Sequence, residues 1–140
     1  MEAAPKWFRP VAVVALLWNL LGCAAYLADA MLTPEAIATL TAAQQAMHAA
    51  RPAWSVAATA IAVWFGAAGS LGLIMGKRWA APLLLASLGG VIGQDVWLFA
   101  LSGAAAQAGA VAFGLQGAVL SIAVGLALLG RQAAARGWIA

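Results

Sequence analysis

Residues 79–101 read WAAPLLLASLGGVIGQDVWLFAL, and Asp95 is the one charged side chain in this run. At a rise of about 1.5 Å per residue, a helix of this length crosses roughly 30 Å of hydrocarbon. The run is too long and too uniformly apolar for the alternating strand of a membrane barrel. It therefore predicts a membrane-spanning helix that carries a carboxyl group inside the bilayer.

Three more runs of similar length and composition lie at 8–30, 53–75 and 110–130. Of the 140 residues, 66% are hydrophobic and 8% are charged, whereas soluble domains contain about 45–50% and about 25% of these classes. Glycine is frequent in these runs, as is usual for membrane helices. The sequence therefore predicts a single all-α domain over 1–140, with four transmembrane helices in an up-down bundle surrounded by the lipid bilayer.

The positive charges are distributed unevenly between the two ends of this predicted bundle. Six of the seven Lys and Arg residues flank the spans on the side of the chain termini, and Arg51 lies on the other side: the six are Lys6, Arg9, Lys77, Arg78, Arg131 and Arg136. The positive-inside rule therefore predicts that both termini are cytoplasmic. Because these cations form no basic stripe with interleaved aromatic residues, we expect no nucleic-acid partner.

The start of the chain also allows a different interpretation, in which the first run is a cleaved leader. Basic residues and an apolar segment are followed by Ala28-Asp29-Ala30, which is close to a signal peptidase site. Trp18 and Asn19 interrupt the apolar segment, which is atypical of a leader. We therefore expect the first span to be retained.

The connection between the first two spans contains helix-start signals. Thr33-Pro34-Glu35 supplies a capping side chain, a proline suited to the first helical position and a favourable carboxylate. Thr41 and Gln44 have the spacing of a capping box. The sequence therefore predicts a short interfacial helical segment, either as two short helices or as one helix with a break.

The chain carries no motif that indicates catalysis, a cofactor or a metal. Cys23 is the single cysteine and His48 the single histidine. His48, Glu35 and Asp29 match no metal-ligand spacing, and no nucleophile elbow, phosphate loop or zinc-protease motif is present. We therefore predict a protein that is not an enzyme and that has no cofactor and no metal site.

Small residues recur at helical spacing within the second, third and fourth runs. Seams of this kind let membrane helices approach closely where no hydrophobic force drives them together. The predicted packing residues are Gly66, Gly69, Gly72, Gly76, Gly89, Gly93, Gly117, Ser121 and Gly125.

Polar side chains inside the spans form the second group of candidate functional residues. At comparable depth to Asp95 the other runs present Tyr26, Thr59 and Gln116, and the predicted intramembrane polar cluster is Asp95, Gln94, Gln116, Asn19, Tyr26 and Thr59. Three interpretations of Asp95 stay open: a hydrogen bond to Tyr26, Thr59 or Gln116, a titrating group in a transport cycle, or a contact with a second protein chain.

Four anchor segments together resemble a family of small bacterial four-helix inner-membrane proteins whose members often carry an automated label of sugar transporter. The segments are WNLLGCAAYLAD at 18–29, ARPAW at 50–54, RWA at 78–80 and RGW at 136–138. The resemblance covers most of the chain, implies a location in the bacterial inner membrane and supplies no catalytic or substrate-binding residue.

Two functions follow from these patterns as expectations. The first is a small non-enzymatic inner-membrane protein that handles a small solute or a proton in the manner of a transporter, as a homo-oligomer, because four short helices enclose little space alone. The alternative is an accessory or scaffold subunit that docks on a larger membrane complex through its glycine seams and Asp95. A carrier should bring several polar side chains, such as Asn19, Asp95 and Gln116, to one cavity.

Overall fold

The structure, a computed structural model, describes residues 3–103 and 110–140. In these ranges it contains helices and turns and no strand. The helices long and apolar enough to span a membrane are Phe8–Ala30, Ala53–Ile74, Ala80–Leu101 and Ala110–Arg136 in the part of the chain that is described. We call them the first to fourth membrane helices. The predicted all-α four-helix bundle is confirmed, and the chain is a multi-pass membrane protein.

The fourth membrane helix continues six residues past the predicted end of its span, to Arg136. Its last turns are rich in alanine, which has the highest helix propensity, so the helix persists beyond the apolar run. It ends at Gly137, whose φ of 75° is the left-handed conformation that suits glycine. The N–H of Trp138 donates to the carbonyl of Ala133 at 2.8 Å, which pairs an otherwise free carbonyl at the helix end.

The membrane helices pack in chain order. The first packs on the second, the second on the third, and the third on the fourth, so the third helix is covered on two sides. Over the described residues, the first and fourth helices are not among the pairs with extensive contact. The bundle is therefore open along one side, between its first and last helices.

The second and third membrane helices approach most closely at Gly90. A Cβ atom built at Gly90 would lie 2.5 Å from the carbonyl oxygen of Ala58 and 2.6 Å from the backbone nitrogen of Ala62. Gly69 has a similar role, because a Cβ there would lie 2.7 Å from Cγ of Leu84. Small residues therefore set the distance between these two helices, as expected for packing in a membrane.

Two membrane helices contain a π-helical segment, at Ile61–Phe65 in the second and Val96–Leu101 in the third. Carbonyls in the first of these segments accept hydrogen bonds from neighbouring helices. The Ser87 hydroxyl donates to the Ala62 carbonyl at 2.6 Å, and the Cys23 thiol donates to the Val63 carbonyl at 3.4 Å. The wider turn thus ties the second helix to both of its neighbours.

The connection between the first and second membrane helices forms two short helices, Pro34–Ala38 and Ala42–Ala50. Thr33 caps the first, because its hydroxyl accepts from the N–H of Ala36 at 3.1 Å. Thr41 and Gln44 form the predicted capping box, with reciprocal bonds of 3.2 and 3.0 Å. We call the end of the bundle that carries this connection the loop end, and the opposite end the terminal end.

Both ends of the chain meet at the terminal end of the bundle. Phe8 and Trp138 pack edge to face with ring centroids 5.5 Å apart, and Ile139 is 1% exposed. The backbone of Ala140 pairs with the turn that follows the second helix, donating to Gly76 and accepting from Arg78, each at 2.8 Å. The returning C-terminal residues therefore close this end of the bundle.

Candidate functional site: a cleft between the first and fourth membrane helices

The gap between the first and fourth membrane helices is a cleft of about 720 Å³. The second and third helices also line it, and its residues run from Leu84 and Leu126 within the bundle to Asp29 and Arg51 at the loop end. This volume lies within the range of roughly 300–1,000 Å³ that is typical of small-molecule sites. Because aromatic packing closes the terminal end, the cleft opens toward the loop end.

Asn19 marks how far the cleft enters the membrane. It lies eleven residues before Ala30, where the first helix ends at the loop end. At about 1.5 Å per residue this is a depth of roughly 16 Å, close to the middle of the hydrocarbon layer. The cleft therefore brings a side-chain amide to mid-membrane depth, where an unsatisfied polar group is costly.

The amide nitrogen of Asn19 donates to its own helix and to the second membrane helix. Its Nδ2 donates to the carbonyl of Ala15 at 2.9 Å and to the Ser70 hydroxyl at 3.3 Å. Gly66 leaves room for this side chain, since a Cβ at Gly66 would overlap Oδ1 of Asn19 and lie 3.0 Å from the Ser87 hydroxyl. The absence of a side chain at Gly66 thus holds the Asn19 amide against the second helix.

A second polar group crosses the cleft nearer the loop end and joins three helices. The Thr59 hydroxyl of the second helix donates to Oε1 of Gln94 at 2.8 Å. Nε2 of Gln94 then donates to Oε1 of Gln116 on the fourth helix at 3.4 Å. These neutral side chains link the second and third membrane helices to the fourth helix across the cleft.

Some hydrogen-bond donors at the cleft, among them those of Tyr26 and Gln116, are not used by the protein itself. Tyr26 packs edge to face on Trp64, with ring centroids 6.5 Å apart. Its hydroxyl and the amide nitrogen of Gln116 donate to no other residue in the described parts of the chain. Both residues line the cleft and are half-buried, so these donors are available to a bound molecule.

The charges at the mouth of the cleft neutralise each other. Nη2 of Arg51 lies 2.7 Å from Oδ2 of Asp29, and the two side chains are 28% and 41% exposed. His48 also lines the mouth. Within residues 3–103 and 110–140, no group of three or more His, Cys, Asp or Glu side chains is positioned to hold a metal ion. The mouth is therefore polar but carries a compensated charge.

The structure bears on one of the three interpretations of Asp95, the hydrogen bond to Tyr26, Thr59 or Gln116. Two of its predicted partners, Thr59 and Gln116, bond to Gln94 instead, and among the described residues Oδ1 of Asp95 is buried without a hydrogen-bond partner. Asp95 is not one of the described residues that line the cleft. Successive helical residues point about 100° apart, and here Gln94 lies on the cleft side of the third helix while Asp95 lies outside the lining. The structure selects the amide.

The polar residues predicted from the sequence therefore separate into two groups. Five of them lie on the walls of the one cleft, contributed by all of its helices, and Asp95 lies outside it; the five are Asn19, Tyr26, Thr59, Gln94 and Gln116. Ser87 also lines the cleft. Ser87 is not among the residues predicted from the sequence. Its position seven residues before Gln94 could have identified it, because this spacing puts both side chains on one helix face.

The small residues predicted to pack helices occupy three kinds of position. Gly66, Gly69, Gly72 and Gly93 lie at contacts between helices, whereas Gly76, with φ of 68°, ends the second membrane helix. A Cβ at Gly89, Gly117 or Gly125 would meet no described atom within 4 Å, and Ser121 is exposed. In the third helix, the glycine at the contact is Gly90 rather than Gly89, one position and about 100° around the helix.

In comparisons with known proteins, no family model, no curated protein and no solved structure matches the chain.

Proposed function

We propose that this chain is a transporter-like membrane protein that binds a small solute in the cleft between its first and fourth helices. The observation that carries the proposal is the convergence of five neutral polar side chains on one open cavity within the bundle. Several polar groups around one cavity are what a carrier requires. Some of these groups also bond helices together, but the unused donors of Tyr26 and Gln116 serve no such bond.

The polar side chains of the cleft favour binding over catalysis. Amides of Asn and Gln and the hydroxyl of Thr donate and accept hydrogen bonds but do not titrate near neutral pH. A general acid or base needs a pKa close to the working pH. Asp29, His48 and Arg51 lie only at the mouth, outside this polar group. The proposed role is therefore non-enzymatic, with recognition by hydrogen bonds and apolar contacts.

We propose that the protein resides in the bacterial inner membrane with both termini in the cytoplasm. Six cationic side chains lie at the terminal end and Arg51 at the loop end, which favours a cytoplasmic terminal end. In this orientation the cleft opens outward and the aromatic packing of Phe8 and Trp138 faces the cytoplasm. Reporter fusions at either terminus should be active only in the cytoplasm, and periplasmic activity would contradict the orientation.

The cleft hypothesis is tested by filling the cleft from the fourth helix. Val119 lines the cleft, whereas the adjacent Ala118 is exposed outside it, so Val119→Trp and Ala118→Trp form a matched pair. The purified protein is screened by thermal unfolding with neutral sugars, amino acids and acylglycerols. At least one compound should stabilise the wild type and Ala118→Trp but not Val119→Trp. A stabilisation that persists in Val119→Trp, or a panel without a hit, would refute the hypothesis.

An exposed face of the fourth helix supports association with a second chain. Gly117, Ser121 and Gly125 follow one another at four-residue spacing, and no described atom covers them. Small residues at this spacing are typical of contacts between membrane helices. We propose that the face joins copies of this chain, and the second candidate is an accessory role in which it docks on a different membrane protein.

A pair of double variants distinguishes these two forms of assembly. Gly117→Leu/Gly125→Leu should dissociate the particle seen by mass photometry in nanodiscs. The control Ala24→Leu/Ala28→Leu places the same side chains on an exposed part of the first helix and should leave the particle intact. A wild-type particle that is monomeric would contradict the homo-oligomer, and recovery of a stoichiometric foreign subunit would favour the accessory role.

A further inference from the structure

We infer that the ligand of the cleft is a neutral amphipath that enters from the bilayer, with an apolar chain and a carbonyl-bearing head group, such as an acylglycerol. This inference rests on the proposed function, since it names the chemical class of the solute that the cleft binds. It is supported by the side on which the cleft opens, by its apolar depth and by the kind of polar group that it offers.

The cleft opens sideways to the lipid as well as toward the loop end. Leu21 and Leu115 line it, yet they are 66% and 55% exposed. Leu21 lies nine residues before the end of its helix, at a depth of roughly 14 Å, where the surroundings are acyl chains. Because the first and fourth helices do not close over this rim, a lipid-soluble molecule can enter without crossing water.

The deeper part of the cleft favours an apolar chain. Leu84, Ile122 and Leu126 line it inside the bundle. The nearby amide of Asn19 already donates to Ala15 and Ser70. A hexose would bring several hydroxyl groups, each of which needs a partner when it leaves water. The depth of the cleft therefore suits hydrocarbon better than a sugar ring.

The unused polar groups favour a neutral head group that accepts hydrogen bonds. Within the bundle the unused donors include the Tyr26 hydroxyl and the Gln116 amide nitrogen, and neither carries a charge. A carbonyl or ester oxygen is the complementary acceptor. Arg51 at the mouth has a buried Nε without a partner among the described residues, but its charge is compensated by Asp29 at 2.7 Å. A phosphate group bound there would therefore also be repelled by the Asp29 carboxylate. The cleft thus favours a neutral glycerol ester over an anionic lipid.

The test compares three probes with the purified protein in nanodiscs: a monoacylglycerol, a lysophosphatidylglycerol with the same acyl chain, and glucose. We expect saturable binding of the monoacylglycerol, detected by native mass spectrometry, and at least severalfold weaker binding of the other two. Val119→Trp should abolish binding. Gln116→Leu, which removes the free donor of Gln116 together with the acceptor of the Gln94 bond, should weaken it by about tenfold. Ala118→Leu, on an exposed position outside the cleft, should leave it unchanged.

The outcomes separate this inference from the hypothesis of a binding cleft. Glucose binding that is lost in Val119→Trp, without monoacylglycerol binding, would overturn the inference and leave the cleft hypothesis intact. Equal binding of lysophosphatidylglycerol would overturn the neutral head group. Monoacylglycerol binding that survives both Val119→Trp and Gln116→Leu would place the ligand elsewhere and overturn the inference. The absence of binding by all three probes would overturn the inference, and the cleft hypothesis would then be decided by the wider screen of sugars and amino acids.

Discussion

Adding one methyl group at Gly90 should destabilise the bundle, whereas the same change at the neighbouring Gly89 should not. A Cβ at Gly90 would lie 2.5 Å from the carbonyl oxygen of Ala58 and 2.6 Å from the nitrogen of Ala62. These are backbone atoms of a packed helix, which cannot move aside as the end of a flexible side chain does. At Gly89 the added atom would meet nothing within 4 Å among the described residues.

The two variants share the same change of helix propensity, so their difference isolates the cost of packing. Alanine is favoured over glycine by about 1 kcal/mol in a helix. Overpacking a close contact costs about 1–3 kcal/mol. We therefore expect Gly90→Ala to be less stable than Gly89→Ala by about 2–3 kcal/mol, the upper part of that range, because the obstructing atoms belong to the backbone.

The assay is reversible unfolding in mixed micelles, with the helix content followed by circular dichroism as the fraction of denaturing detergent rises. The free energies of unfolding of wild type, Gly89→Ala and Gly90→Ala are compared under one set of conditions. Gly89→Ala should equal or exceed the wild type. A Gly90→Ala variant as stable as Gly89→Ala would refute the close approach of the second and third membrane helices.

Three further changes test other contacts by the same titration. Gln94→Leu removes the bonds to the second and fourth helices and should cost about 1 kcal/mol, at about 0.6 kcal/mol per bond; an unchanged stability would contradict the polar tie. A double-mutant cycle on Asp29 and Arg51 should give a coupling below about 1 kcal/mol that weakens with salt, because the pair is partly exposed; a salt-independent coupling of several kcal/mol would be inconsistent with this position. Ile139→Ala should cost about 2–4 kcal/mol since its side chain is 1% exposed, whereas Leu128→Ala, which is 58% exposed, should cost much less; equal losses would argue against the closed terminal end.

The membrane helices could be predicted from the sequence because their boundaries are chemical. Hydrocarbon thickness sets the length of each run, and prolines, caps and cations mark its ends. The sequence also predicts the capping box of Thr41 and Gln44, because this motif depends only on local spacing. The sequence predicts a fourth span at 110–130, and the helix itself continues six residues further because hydropathy records where the membrane ends. An alanine-rich helix continues until a residue such as Gly137 stops it.

The cleft could be predicted only as a set of residues, because the rotation of each helix about its axis is set by packing. Gln94 and Asp95 are adjacent in the sequence, yet only Gln94 meets Thr59 and Gln116. Gly89 and Gly90 differ in the same way, and the second of them faces the neighbouring helix. A run of apolar residues contains no signal that decides between positions 100° apart.

The π-helical segments also depend on tertiary contacts. The residues Ile61–Phe65 are apolar and carry no local cue for a wider turn. The hydrogen bonds that reach the carbonyls of Ala62 and Val63 come from the third and first membrane helices. At this segment the wider turn coincides with donors from neighbouring helices, which a local reading of the sequence does not contain.

The most direct test of the cleft is the reactivity of a cysteine placed in its wall. In a Cys23→Ala background, Gln116→Cys and Gly117→Cys put the thiol inside the cleft and on the exposed outer face of the same helix. A membrane-impermeant thiol reagent, added on the loop-end side of sealed vesicles, should modify the cysteine at position 116 many times faster than the one at position 117. Equal rates, or faster reaction at position 117, would contradict a cleft between the first and fourth membrane helices that opens at the loop end.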